Sequence, residues 1–163
     1  MSPLHHRDIG LVGAGLLHKD VFVELICDKL HINPAMIKLV FQVKGCDQVI
    51  LITDAMRAAG MPDGEYSLGG LPVVVADGAA RLREGGALAG STLQLSTAFK
   101  NVAEVTGLPL SEVVKSTSYS AAKALGLQNV GKIEPGYLAD IAILDDDFNV
   151  TETIVGGKVC FQR

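Results

Sequence analysis

Residues Gly45–Met56 read GCDQVILITDAM, and the interpretation of this stretch decides the fold. Val49 through Thr53 is an uninterrupted run of apolar or β-branched residues. That is the pattern of a strand covered on both faces, as in a parallel sheet flanked by helices. The run leaves the sheet at Asp54, and small residues follow. A carboxylate at the C-terminal end of such a strand lies where α/β folds place their chemistry. Asp is also common in turns, where it binds local backbone N–H groups, so Asp54 admits a catalytic and a turn-forming role.

Immediately upstream, VFVELICDKLHI at 21–32 reads as a second buried strand ending in a turn with Asp28 and His31. Asn33-Pro34 closes that turn. Pro34 suits the first position of a helix running to about Lys44, because its missing N–H would have no helical partner there. Met36, Ile37, Val40 and Phe41 give this helix a buried stripe, and Gly45 ends it. Strand, helix and strand form a βαβ unit, which requires parallel neighbours and a right-handed crossover. His31 and Asp54 then emerge on one rim of the sheet.

The first residues, MSPLHHRD, are polar, and GLVGAGLL after them is small and flexible. His5, His6 and Arg7 form a short cationic cluster. Adjacent histidines cannot share a helix face as an i, i+4 metal pair does. The planar fork of Arg7 suits phosphate or carboxylate, although an exposed Arg is the ordinary case.

Downstream of Met56 the texture changes to frequent turn signals. Leu71–Ala76 reads as a strand, Asp77-Gly78 as a two-residue turn, and Ala79–Arg83 as the return strand. Leu88-Ala89-Gly90-Ser91 then leads into a helix with Ser91 or Thr92 as N-cap. Leu95, Ala98, Phe99 and Val102 share one face of it, and Gly107 is its stop. A small-residue loop opening a helix can present N–H groups to an anion, and it can equally be an ordinary capped turn. A further helix is expected over about 111–125, ending at Gly126. In the tail, Ala139–Leu144 is a strand, and 151–155 with 158–161 forms a hairpin across Gly156-Gly157. This hairpin is expected to pair with the excursion at 66–83 in one small β layer.

Composition narrows the function classes. The 163 residues suffice for one domain, and with 48% hydrophobic residues, 5% aromatic and no Trp the core is aliphatic. A net charge of −4 without a basic cluster argues against a nucleic-acid partner. Cys27, Cys46 and Cys160 are odd in number and lack metal-site spacing, as expected of reduced cytoplasmic thiols. The polar start is unlike a signal peptide. The apolar runs are too short to span a bilayer, and Glu24 interrupts one of them.

MSPLHHRD, DKLHINP, LITDAM, DGEYSLGG, LAGST and GKIEPGYLADIAILD, taken in order, resemble the C-terminal portion of the N-acetylglucosamine-6-phosphate deacetylase family, within the amidohydrolase superfamily. The resemblance covers essentially the whole chain. It implies an α/β fold: the C-terminal part of a (β/α)8 barrel over 1–60 and 88–128, with part of a small antiparallel β-sandwich over 61–87 and 129–163. It also implies residue roles. Asp54 would be the catalytic carboxylate that moves a proton from water to the leaving nitrogen. Asp28, Lys29, Leu30 and His31 would line the sugar site, and Leu88, Ala89 and Gly90 would wrap the sugar through their backbone. Arg7 would bind the phosphate, either within its own subunit or from a neighbouring one.

The departures from the family pattern shape the rest of the expectation. The family binds a divalent metal, zinc or similar, through a Glu and a His well upstream and a second His in a THLFNAM-like segment. This chain begins at the Met of that segment, so no metal is expected for it alone. Lys29 stands where the family usually has Gly, and Ser120 where it usually has Asn. The reading is therefore a deacetylase portion, inactive alone, whose partners are a phosphorylated amino sugar and either further copies of itself or a complementing N-terminal fragment. A non-catalytic phosphosugar-binding or interaction protein and a truncated product without independent role are the alternatives. A cyclic amidase fits less well, because it has no need of a phosphate-binding Arg7.

Overall fold

The computed structural model describes residues 1–163. The apolar run forms strand β2, Val49–Ile52, beside β1, Val23–Ile26. The two are parallel, with Val23 opposite Val49 and Ile26 opposite Ile52. Helix α2, Pro34–Lys44, crosses between them. The Asn33 side chain accepts the Ala35 N–H at 2.9 Å, and Pro34 occupies the first turn. Ile37, Val40 and Phe41 of α2 are buried against β2, while Met36 is only half-buried. Val49, Ile50 and Leu51 are all buried, as the unbroken apolar run requires.

The parallel arrangement extends one step past β2. Ala55 and Ser91 form a parallel bridge, in which the Ser91 N–H donates to the Asp54 carbonyl and the Met56 N–H to the Ser91 carbonyl. Helix α3, Leu95–Thr106, begins later than a Ser91 or Thr92 cap would place it. Both hydroxyls are engaged elsewhere: Ser91 donates to the Thr53 carbonyl, and Thr92 to the Gly78 carbonyl at 2.8 Å. Ala98, Phe99 and Val102 of α3 join the core formed by α2 and β2, whereas Leu95 is partly exposed. Gly107, in the left-handed region at φ 69°, ends the helix.

Two segments fold differently from their sequence pattern. GLVGAGLL is not a flexible link but a helix, α1, Gly10–Leu17, lying beside α2. The single helix expected over 111–125 is broken into α4, Leu110–Val113, a 3₁₀ turn at Val114–Thr117, and α5, Tyr119–Ala124. The buried hydroxyls of Ser116 and Ser120 both donate to the Cys46 carbonyl, at 3.1 and 2.8 Å. Ser and Thr offer the backbone local alternatives to the helical ladder, and five of them crowd positions 111–120.

The antiparallel strands form two sheets rather than one layer. Strands β3, Gly64–Leu68, β4, Leu71–Ala76, and β5, Ala79–Leu82, make one meander. Strands β6, Ile141–Leu144, β7, Val150–Val155, and β8, Lys158–Gln162, make the other. The expected pairing of the terminal hairpin with the excursion at 66–83 does not occur, because each hairpin takes its third strand locally. The first sheet buries Val73, Val75 and Ala80 against Met56, Ala58 and Ala89. The second contains no buried residue; Leu144 and Phe148, whose ring meets that of Phe99 in a T-shaped contact with centroids 5.2 Å apart, connect it to the main core.

The accessible surface is 10107 Å². A compact monomer of 17.1 kDa exposes about 7,800 Å². Large apolar side chains are among the exposed groups, Leu11, Leu17, Leu125 and Ile133 included. No helix is long and apolar enough to cross a membrane.

Candidate functional site

The loop after β1 is built around Asp28. Its Oδ1 accepts the N–H groups of Leu30 and His31, each at 2.8 Å, and its Oδ2 lies 2.6 Å from His31 Nδ1. A carboxylate only accepts hydrogen bonds, so Nδ1 carries the proton and Nε2 is the ring nitrogen left free. Partial burial disfavours the Asp28 charge. The bonds from the His31 backbone and ring and from Leu30 outweigh it and hold the carboxyl below the usual carboxylate range.

Lys29 adopts φ 65° within this loop, a left-handed conformation that L residues other than Gly rarely take. Its Nζ lies 2.7 Å from Glu104 Oε2 on α3. One turn earlier on α3, the Asn101 side-chain amide donates to the Cys27 carbonyl at 2.9 Å. Asn101 and Glu104 were not legible as site neighbours, because polar residues on the outer face of an amphipathic helix carry no such signal. Burial, reinforced by the adjacent Asp28 charge, pushes the Cys27 thiol up to about 12, which makes it an inert core group.

The second part of the rim lies after β2. Asp54 is exposed, takes φ 48°, and its carboxylate has no hydrogen-bond or ion-pair partner. The backbone on both sides of it is fastened to Ser91, through the Ser91 hydroxyl on the Thr53 carbonyl and the Ser91 N–H on the Asp54 carbonyl. Gly90 approaches so closely that a Cβ there would stand 3.2 Å from the Asp54 carbonyl oxygen. Leu88-Ala89-Gly90 thus lies directly beside Asp54. Ala89 has committed its N–H to the Ala80 carbonyl, while the N–H groups of Leu88 and Gly90 have no backbone partner.

The structure therefore brings Asp54 and 88–90 together and places Asp28–His31 at the end of the adjacent strand. Arg7 is not joined to them. It is exposed and forms no ion pair, in a turn where His5 and Asp8 bridge. No three His, Cys, Asp or Glu side chains assemble anywhere in the fold, and the neighbouring His5 and His6 rings, tilted 44° to each other, belong to no such group. The donor set of this chain does not build a complete metal site.

The sequence model of the amidohydrolase family matches residues 43–160. The chain is similar to N-acetylglucosamine-6-phosphate deacetylase of Lysinibacillus sphaericus, with 44% identity over 162 residues, 99% of this chain and 42% of that one. The crystal structure of N-acetylglucosamine-6-phosphate deacetylase from Thermotoga maritima superposes with a TM-score of 0.94 at 49% identity, covering 99% of this chain and 44% of that chain. A protein of Escherichia coli K12, provisionally named an N-acetylgalactosamine-6-phosphate deacetylase, is 41% identical over 160 residues, 98% of this chain and 95% of that one. The chain thus spans less than half the length of the first two and nearly all of the third.

Proposed function

The chain belongs to the amidohydrolase family, and from that membership we propose that it forms part of an enzyme that removes acetate from N-acetylglucosamine 6-phosphate. The observation that carries this reading is the shared rim. The loops bearing His31 and Asp54 leave adjacent parallel strands in register, and the loop at 88–90 is fastened to the Asp54 backbone. In this reading residues 1–60 and 88–128 belong to a (β/α)8 barrel. Residues 61–87 and 129–163 belong to a small β-sandwich, its two sheets joined through parts of the molecule outside this chain.

Each group then has a task. Asp54, free of any partner, takes the proton from the attacking water and delivers it to the departing amine nitrogen. His31, its tautomer fixed by Asp28, offers Nε2 as an acceptor to a sugar hydroxyl. Leu88 and Gly90 supply backbone N–H groups. Arg7 pairs with the phosphate once assembly brings it to the rim, from its own chain or from a neighbouring copy. The divalent metal used by such deacetylases finds no complete donor set here, so no step is assigned to it. A complementing N-terminal fragment, or further copies of the chain, complete the site. The three unbridged cysteines suit the cytoplasm.

The second reading is a phosphosugar-binding protein without catalysis; the K12 relative bears only on whether a chain of this length stands alone, since this chain covers 95% of it. One experiment separates them. The chain alone, with or without zinc, is expected to release no acetate from N-acetylglucosamine 6-phosphate. Co-expression with the part of the Lysinibacillus sphaericus deacetylase that it does not match is expected to give zinc-dependent release, lost in Asp54→Asn. Release by the chain alone would overturn the incomplete-enzyme reading. Phosphosugar binding without release in either preparation would favour the second.

A further inference from the structure

We propose that Lys29 is a positioning residue, not a ligand: its ion pair with Glu104 and the Asn101 bond to Cys27 form a two-point latch by which α3 sets the His31 loop. The inference rests on the phosphosugar reading of that loop. Three observations support it. The Lys29 ammonium, which lies among the sugar-site residues in sequence, is 2.7 Å from Glu104. Lys29 occupies the left-handed region at φ 65°, a conformation that a side-chain-bearing residue rarely adopts. Asn101 and Glu104 are one turn apart on α3, so they grip the loop at Cys27 and at Lys29 from the same helix face.

The latch also links the two halves of the rim. The chain leading into α3 holds the Asp54 backbone through Ser91, and the far half of the same helix holds the loop of His31. A shift of α3 therefore moves both loops together. The Asp28 network fixes His31 within the loop, while Lys29 and Asn101 fix the loop on the body of the protein.

Hydrogen–deuterium exchange tests this without requiring turnover, on peptides covering 27–33 and, as an internal reference, 49–53. In Glu104→Gln the amides of Leu30 and His31 are expected to exchange roughly two- to fivefold faster, the range of an exposed ion pair. The reference strand should not change. High salt should reproduce the effect in the unmodified protein by screening the pair. Lys29→Arg, which keeps the ion pair, should leave protection unchanged, and the exchanged pair Lys29→Glu with Glu104→Lys should retain it. Unchanged exchange in Glu104→Gln, or the same loss in the two pair-preserving variants, overturns the latch. The function reading is judged separately by N-acetylglucosamine 6-phosphate binding to the unmodified protein. A latch response without such binding supports the latch and counts against the phosphosugar reading.

Discussion

At the scale of single residues, the rim separates groups whose hydrogen bonds shape loops from groups left without a partner. Asp28 belongs to the first kind. Its carboxyl is held below the usual 3.8, so the stability it contributes is complete above that pH and lost as pH falls through the lowered value. Urea unfolding at neutral and acid pH should show this, and Asp28→Asn should flatten the acid limb of the profile. Asp28→Ala removes the acceptor of three hydrogen bonds and should cost about 1.5–3 kcal/mol at neutral pH. Asp54 belongs to the second kind. In an assembled enzyme Asp54→Asn should abolish turnover with little loss of ligand affinity. Arg7→Ala should instead weaken phosphosugar binding by about 1.5–3 kcal/mol, the worth of a charge-assisted contact. Equal effects of the two changes on rate and on affinity would break the division of roles. The placement of Asp28, His31 and Asp54 just beyond the ends of two parallel strands was legible in the sequence, because the apolar runs that precede them are recognisable. The free Nε2 of His31 and the engagement of Lys29 by Glu104 were not, since both depend on partners distant in the chain.

At the scale of elements, local rules succeeded where burial and backbone needs agreed and failed where side-chain hydroxyls had other partners. The βαβ unit was readable to within a residue or two because Asn33-Pro34, Gly45 and the apolar run all point one way. The start of α3 and the continuity of the helix after Gly107 were misread because Ser and Thr look like caps or helix residues. In the fold they serve carbonyls elsewhere: Ser91 that of Thr53, and Ser116 with Ser120 that of Cys46. Truncating both Ser116 and Ser120 to Ala leaves the Cys46 carbonyl without these donors. The double variant should lose about 1–3 kcal/mol of unfolding free energy, more than either single variant. A double variant as stable as the original protein would show that the broken helix has another cause.

At the scale of the whole molecule, the parallel sheet is too small and too open to stand by itself. Strands β1 and β2 pair only with each other, and sheets of this kind occur almost only with both faces covered. The sheet β6–β7–β8 has no buried residue, with Val155, Val159 and Phe161 about half-exposed. Against the surface of a compact chain of its mass, this one exposes roughly 2,000 Å² more, an area on the scale of one side of an obligate interface. The sequence carried this in its resemblance to a longer family, but not in its composition, which is that of an ordinary soluble domain. Sedimentation velocity on the purified chain addresses the incomplete-barrel account most directly. The account predicts a symmetric dimer or larger oligomer, or else aggregation, with unpaired strand edges and apolar faces covered between copies. A compact 17.1 kDa monomer that unfolds cooperatively would contradict it.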